Sequence, residues 1–201
     1  MKKVLLIFIK NPELGKVKTR LAKSIGDSEA LHVYKKLLNS TVSVAEKTDA
    51  HRQIWYSSYL DNKDGIKPEL FGKYLQMGSD LGERMKGAFR RAFDDGADRV
   101  VIIGSDCPDL SEAIVENAFE QLQENDLVIG PSEDGGYYLL GMNNLQKELF
   151  NDIDWSTEHV LEQTLKKAKN LSLRIACLPE QNDIDTLEDL EKAGWDDRNS
   201  N

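Results

Sequence analysis

Apolar residues recur with two different periods along this chain. Val4 to Ile9 form an unbroken apolar run, the pattern of a strand covered on both faces. Ala30, Leu31, Tyr34, Leu37, Leu38, Thr41 and Ala45 then repeat at helical spacing and predict a helix over about 28–48. QIWYSS predicts a second strand, and the polar stretch LDNKDGIKPELFGK a loop before the short run YLQM. Leu81, Met85, Ala88, Phe89, Ala92 and Phe93 mark a helix that ends near Gly96. RVVIIG is the most strand-like segment of the chain. Ile114, Val115, Ala118, Phe119 and Leu122 predict the next helix, and DLVIG and YYLLGM predict strands. A helix over 160–168, a strand at LRIACL and a short helix over about 186–193 complete the pattern.

Strands that alternate with helices predict an α/β fold with a mainly parallel sheet. There is no repeat, low-complexity tract or linker, so residues 1–195 read as one domain and 196–201 as a polar, frayed tail. In open parallel sheets, ligands sit beyond the carboxyl ends of the strands. The residues that follow each strand are therefore the candidates for chemistry.

The first strand is followed by KNPELGKVKTRLA, with Lys10, Lys16, Lys18 and Arg20 in thirteen residues. The chain as a whole has 26 Lys+Arg against 35 Asp+Glu, a formal charge of −9, so this concentration of positive charge calls for a reason. Pro12 and Gly15 shape a turn, and Gly15 would let a ligand approach the backbone. Lys16, Lys18 and Arg20 offer point charges and a planar fork suited to phosphate oxygens. The loop matches neither G-x-x-x-x-G-K-[ST] nor G-x-G-x-x-G, and a solvated basic loop that satisfies nearby acids is the plain alternative. Either way the loop is expected to be exposed.

Three acidic stretches follow later strands. In VVIIGSDCPDLS, Asp106 at the end of the best strand suits a hard divalent cation, and Ser105 belongs with the phosphate-binding candidates. Asp109 with Glu112 has the spacing of a capping box, so Asp109 is expected to open the next helix. In GPSEDGGYYLLGM, Asp134-Gly135 fits a hairpin turn, while Gly135 and Gly136 together would also open a backbone surface for a substrate. Both readings of that stretch stand. In NDIDTLEDL, Asp183 and Asp185 alternate and could face a metal, but Asp185 with Glu188 again fits a capping box. Taken together, acids at strand ends and a basic loop form a phosphate-handling set: carboxylate-held metal neutralises phosphate charge while Lys and Arg hold the remaining oxygens.

KNPELGKVKTRLA, GSDCPDL, GPSEDGGYYLLG, DIDWST and NDIDTLEDL occur in the order found in the bacterial DUF2064 family, which this chain resembles from about residue 3 to 190. That family is usually described as glycosyltransferase-like. The resemblance implies the GT-A (nucleotide-diphospho-sugar transferase) fold, a Rossmann-like three-layer sandwich with a mainly parallel, mixed sheet. More distantly, the chain is similar to the molybdenum-cofactor guanylyltransferases and to 2-phospho-L-lactate guanylyltransferase. By this resemblance Asp106 and Asp185 are like the two metal-binding acids, for Mg²⁺ or Mn²⁺, and Lys18 and Arg20 match the basic loop that approaches the triphosphate. Two departures stand out. The L-x-G-G-x-S/G-x-R start of the related nucleotidyltransferases is missing, and position 108 is Pro where many glycosyltransferases complete D-x-D.

The expected activity is metal-dependent nucleotidyl transfer from an NTP to a small phosphorylated acceptor, with Lys18 and Arg20 stabilising the leaving group. Glycosyl transfer from a nucleotide sugar is the alternative, with Asp134 as acceptor base. A non-catalytic nucleotide-binding module is the third reading. The acidic balance argues against nucleic acid as a partner. No apolar run approaches the ~20 residues of a membrane span. The opening MKKVLLIFIKNPE is too short in its apolar part for a secretion signal and lacks a small-residue cleavage site. Cys107 and Cys177 show neither a metal spacing nor a disulfide framework, and Cys107 is expected to be a small packed residue. A cytoplasmic location and no membrane insertion follow as expectations, and a homodimer is compatible with the sequence. His32, His51 and His159 are expected in packing or surface roles, Ser156 as a helix cap and Trp155 in core packing.

Overall fold

A computed structural model describes residues 1–195. Seven strands form one sheet: β1 Lys3–Ile9, β2 His51–Tyr56, β3 Phe71–Leu75, β4 Arg99–Ile103, β5 Leu127–Pro131, β6 Tyr137–Met142 and β7 Ile175–Cys177. Their order is β3-β2-β1-β4-β6-β5-β7, and every pairing is parallel except those that β6 makes with β4 and β5. The helices are α1 Thr19–Ile25, α2 Asp27–Lys47, α3 Leu81–Asp94, α4 Glu112–Gln121, α5 Val160–Asn170 and α6 Leu187–Lys192. A 3-10 turn covers Lys147–Phe150.

The two faces of β1 explain its unbroken apolar run. Leu5 and Ile7 pack with Tyr34 and Leu38 of α2 and Val115 and Phe119 of α4. Val4 and Leu6 pack on the other face with Met85 and Phe89 of α3 and Phe150. Successive side chains of a strand point to opposite faces, so a strand buried on both sides must be apolar throughout. Layers of helix, sheet and helix result, as expected. The expected polar tail, 196–201, lies outside the described residues.

The chain steps from β1 outward to β2 and β3, then returns to place β4 on the other side of β1. That reversal creates a switch point between the carboxyl ends of β1 and β4, the place where open α/β sheets bind ligands. A third apolar cluster lies beside it: Leu21 of α1 and Ala30, Val33 and Leu37 of α2 enclose Ile184, which is 1% exposed.

Several local expectations need correction. The basic loop is not loop throughout, since Thr19–Ile25 is helical and carries Arg20. A seven-residue helix with polar ends leaves too little periodicity to detect. Ser111, not Asp109, caps α4 by accepting from the Ile114 N–H. Thr186, not Asp185, caps α6, in a capping box completed by Asp189 instead of Glu188. Each true cap has a side-chain oxygen two residues or one residue closer to the helix, where it reaches the free N–H groups. Ser156 caps nothing: His159 precedes α5, without a side-chain cap.

Replacing Thr186 by Ala is expected to cost about 1 kcal/mol in urea unfolding, while Glu188→Ala changes stability little. Equal losses in the two variants would restore the Asp185–Glu188 box.

Candidate active site

Backbone pairing carries three distant segments to the switch point. Beyond β5, Leu178 N donates to Ile129 O, Gln181 N to Pro131 O and Ile184 N to Asp106 O, which leads the chain after β7 across to the end of β4. With Ile184 buried in its cluster, Asp183 and Asp185 on either side both line the same cleft. Alternation in NDIDT therefore has a physical use: one apolar anchor presents two acids.

Lys18 joins the acids. Its Nζ lies 2.9 Å from Asp106 Oδ1 and 3.0 Å from Asp185 Oδ1. The expected exposed loop lysine is in fact buried, with its side chain 3% exposed, whereas the Asp106 and Asp185 side chains are 33% and 45% exposed. The correction comes from the backbone. Lys18 adopts φ 48° and ψ 42°, the left-handed region, at the start of α1. Burial works to lower the Lys18 pKa, and the Asp106 and Asp185 charges more than offset it, so the ammonium is held charged. The contact with Asp185 is a hydrogen bond, but Asp106 Oδ1, though close to the ammonium, is buried without an aligned hydrogen bond.

Asp183 behaves differently. Burial, then the nearby Asp106 charge, pushes its carboxyl up to about 7, with Asp134 and Asp185 adding and Lys18 opposing. Burial and the like charges around it thus favour the protonated form of Asp183 more than is usual for a carboxyl.

Tyr34, read from sequence only as part of an apolar stripe, is the keystone below the site. Its hydroxyl accepts from Lys10 N at 2.9 Å, donates to Lys10 O at 2.8 Å and lies 3.2 Å from Ser105 Oγ. It thus ties the loop after β1 to the loop after β4. The available signal was generic: a buried tyrosine needs a partner for its hydroxyl. Asn11, 4% exposed, fixes the same loop to the end of β2 by accepting from Ser58 N and donating to Tyr59 O.

The cleft is about 870 Å³ and includes Lys10, Arg20, Ser105, Asp106, Asp134, Gly136, Asp183 and Asp185 among its lining. Gly15 and Lys16 do not line it; Lys16 is largely exposed and pairs with Glu13 at 2.7 Å. Asp134 Oδ1 accepts from Ser132 Oγ and Gly136 N, which closes the β5–β6 hairpin turn. Gly135, at φ 84°, leaves no room for a Cβ against the Glu158 main chain, and its carbonyl accepts from Leu161 N. The second glycine of the pair, Gly136, is the one that faces the cleft. Cys107 is packed, and burial pushes its thiol up to about 12.

Part of the lining was not assigned from the sequence: Asp80 and Arg84 at the start of α3, Tyr137, and the segment from Trp155 to Glu158. Trp155 stacks on Phe150 and fills the space left by Gly82, so it both packs and lines the cleft. Ser156 in this segment also has positive φ, 65°. Positive φ in a non-glycine residue leaves no periodic trace in sequence.

Among the described residues no three His, Cys, Asp or Glu side chains form a ready-made cation cage. The donor set still fits Mg²⁺ or Mn²⁺. Mg²⁺ typically takes one or two carboxylates and completes its shell with water and substrate phosphates. Asp106 and Asp185, whose Oδ1 atoms both lie within 3.0 Å of the Lys18 ammonium, are the two carboxylates that would suit such an ion. No helix among the described residues is long and apolar enough to cross a membrane.

Sheet order and cleft place the structure in the GT-A class, and comparison with known proteins agrees. A protein of Desulfovibrio desulfuricans G20, provisionally named a nucleotide-diphospho-sugar transferase, is 36% identical with a TM-score of 0.90, over 100% of this chain and 90% of that one. CMP:2-keto-3-deoxy-manno-octonic acid synthetase, solved with CTP, is 11% identical with a TM-score of 0.59, covering 97% and 98%. Rv0371c of Mycobacterium tuberculosis H37Rv, solved with manganese, is also 11% identical, with a TM-score of 0.61 over 96% and 98%. No protein with a curated description matches the sequence. The chain belongs to the DUF2064 family, described as an uncharacterized protein conserved in bacteria, which matches residues 40–157.

The raised Asp183 pKa gives a pH signature. The folded protein holds a proton that the unfolded chain has lost between 3.8 and about 7. Stability from this group is therefore full at low pH, declines as pH rises through that window and is flat above it. Asp183→Asn is expected to stabilise the protein above pH 7 and to flatten that decline, as read by urea unfolding across pH. A constant offset at every pH would contradict the assignment.

Proposed function

We propose that this protein is a metal-dependent transferase acting on a nucleotide, and that the reaction is nucleotidyl transfer from an NTP to a small phosphorylated acceptor. One observation carries the reading: Asp106 and Asp185 converge on Lys18 at the switch point, with Lys10 and Arg20 on the same cleft. The similar proteins solved with CTP and with manganese support it at the level of fold.

Asp106 and Asp185 would hold Mg²⁺ or Mn²⁺, which when bound neutralises charge on the phosphates. Lys10, Lys18 and Arg20 bind the remaining phosphate oxygens, and Ser105 adds a hydroxyl at the same edge. An oxygen of the acceptor phosphate attacks the α-phosphorus; the bond from that phosphorus to the bridging oxygen breaks, and pyrophosphate leaves. The attacking phosphate is already ionised, so no protein base is required. Lys18 and Arg20 stabilise the charge that develops on the leaving group.

The name given to the 36%-identical protein favours a second reading, glycosyl transfer from a nucleotide sugar. Asp134 would then deprotonate the acceptor hydroxyl, although its Oδ1 already accepts two hydrogen bonds. Products separate the readings: NTP with an acceptor yields pyrophosphate in the first, and a nucleotide sugar yields a nucleoside diphosphate in the second.

A thermal-shift screen of NTPs and nucleotide sugars with Mn²⁺ tests the site. At a hundred times Kd a ligand stabilises by about 2.7 kcal/mol. That stabilisation is expected in the wild type and absent in both Asp106→Asn and Asp185→Asn. Asp185 does not cap α6, so its loss in this assay reports the cleft and not the helix. Wild-type behaviour of Asp185→Asn would remove it from the metal site.

A further inference from the structure

The position of Lys18 has a consequence for how the site fills. We propose that the Lys18 ammonium and a divalent cation compete for Asp106 Oδ1 and Asp185 Oδ1, so that metal and nucleotide load together. This inference rests on the reading of Asp106 and Asp185 as metal-binding acids.

The geometry sets the conflict. Nζ lies 2.9 and 3.0 Å from the two carboxylate oxygens. A cation bound to both, at about 2.1 Å from each, would lie no more than about 5 Å from the ammonium if Lys18 stayed in place. Lys18 is buried, so little water is present to screen that repulsion. The ammonium must leave, or the cation binds weakly.

Two features let it leave. Lys18 has left-handed backbone geometry, at φ 48°, which is sustained only while its surroundings reward it. Its tie to Asp106 is an ion pair at 2.9 Å, a contact that another cation at the same oxygen can replace. A destination is also present. Lys10, Lys18, Thr19, Arg20, Tyr34, Asp106 and Asp185 surround one small side cavity of the cleft. Phosphate oxygens that reach Lys10 and Arg20 there can take the ammonium as the cation takes the carboxylates. Neither exchange leaves a buried charge unpaired, whereas either ligand alone does. Nucleotide therefore strengthens metal binding, and metal strengthens nucleotide binding by the same factor.

The competition makes a prediction opposite in sign to that of a lysine that only supports the acids. Mn²⁺ binding is titrated without nucleotide, through the loss of the free-Mn²⁺ EPR signal. Lys18→Met is expected to bind Mn²⁺ at least about tenfold more tightly than wild type. Lys16→Met, which removes the same charge from the same loop outside the cleft, should bind as wild type does. Unchanged or weaker binding by Lys18→Met overturns the competition. Equal gains in Lys18→Met and Lys16→Met overturn it too, because a general field would then explain both. Asp106→Asn with wild-type Mn²⁺ affinity would instead refute the metal reading itself, which keeps the two failures distinct. If Lys18→Met does not fold alone, excess Mn²⁺ is expected to restore its circular dichroism spectrum, because a ligand of the native state favours folding. Failure to refold in excess Mn²⁺ also overturns the competition.

Discussion

The ion pairs of one ammonium with two carboxylates organise this molecule. Lys18 follows β1, Asp106 follows β4 and Asp185 follows β7, so their meeting depends on the whole sheet order. Burying a lysine is costly unless its charge is met, and breaking such a group by removing one partner leaves an uncompensated charge behind. The fold meets that requirement by fixing each participant independently. Tyr34 holds the loop after β1 against the loop after β4, Ile184 anchors the two acids around it, and the Ile184 N–H docks on the Asp106 carbonyl.

The same arrangement explains how an acidic chain builds a cleft suited to polyphosphate. Positive charge from Lys10, Lys18 and Arg20 is gathered beside Asp106 and Asp185 in one small side cavity. The part of the cleft lining from Trp155 to Glu158 is held by packing: Trp155 on Phe150 and Gly82, Glu158 against Gly135. A strained residue, Ser156, sits within that segment. Rigid support of this kind keeps a binding surface in one shape, which reduces the ordering cost when a ligand arrives.

Much of the fold was legible in the sequence because it rests on local periodicity. Apolar runs and helical stripes located five of the seven strands closely and all α-helices except α1, and the strand-end rule pointed to the loops that carry Asp106 and Asp185. The β3 strand was missed in part, because Phe71–Lys73 of that strand read as loop and only Tyr74 and Leu75 fell in the short apolar run. The β7 strand is shorter than LRIACL suggested, because only Ile175–Cys177 pair with β5. What was not legible is long-range or stereochemical. A lysine reads as exposed until its partners from distant strand ends are known, and a tyrosine in a helical stripe reads as core. Capping boxes were misplaced by one or two positions because these segments hold several acids and hydroxyls at overlapping spacings. The structure chose the oxygen nearest the free N–H groups, as Thr186 and Ser111 demonstrate.

The most direct test of the account is the place of the cation relative to these residues. Crystals grown with Mn²⁺ and a non-hydrolysable NTP analogue, measured at the manganese absorption edge, would locate the ion from its anomalous scattering. The account predicts one strong peak bridging Asp106 and Asp185, with the Lys18 ammonium moved onto phosphate oxygens. A peak elsewhere, or nucleotide bound in the cleft with Lys18 still seated between the two carboxylates, would contradict it.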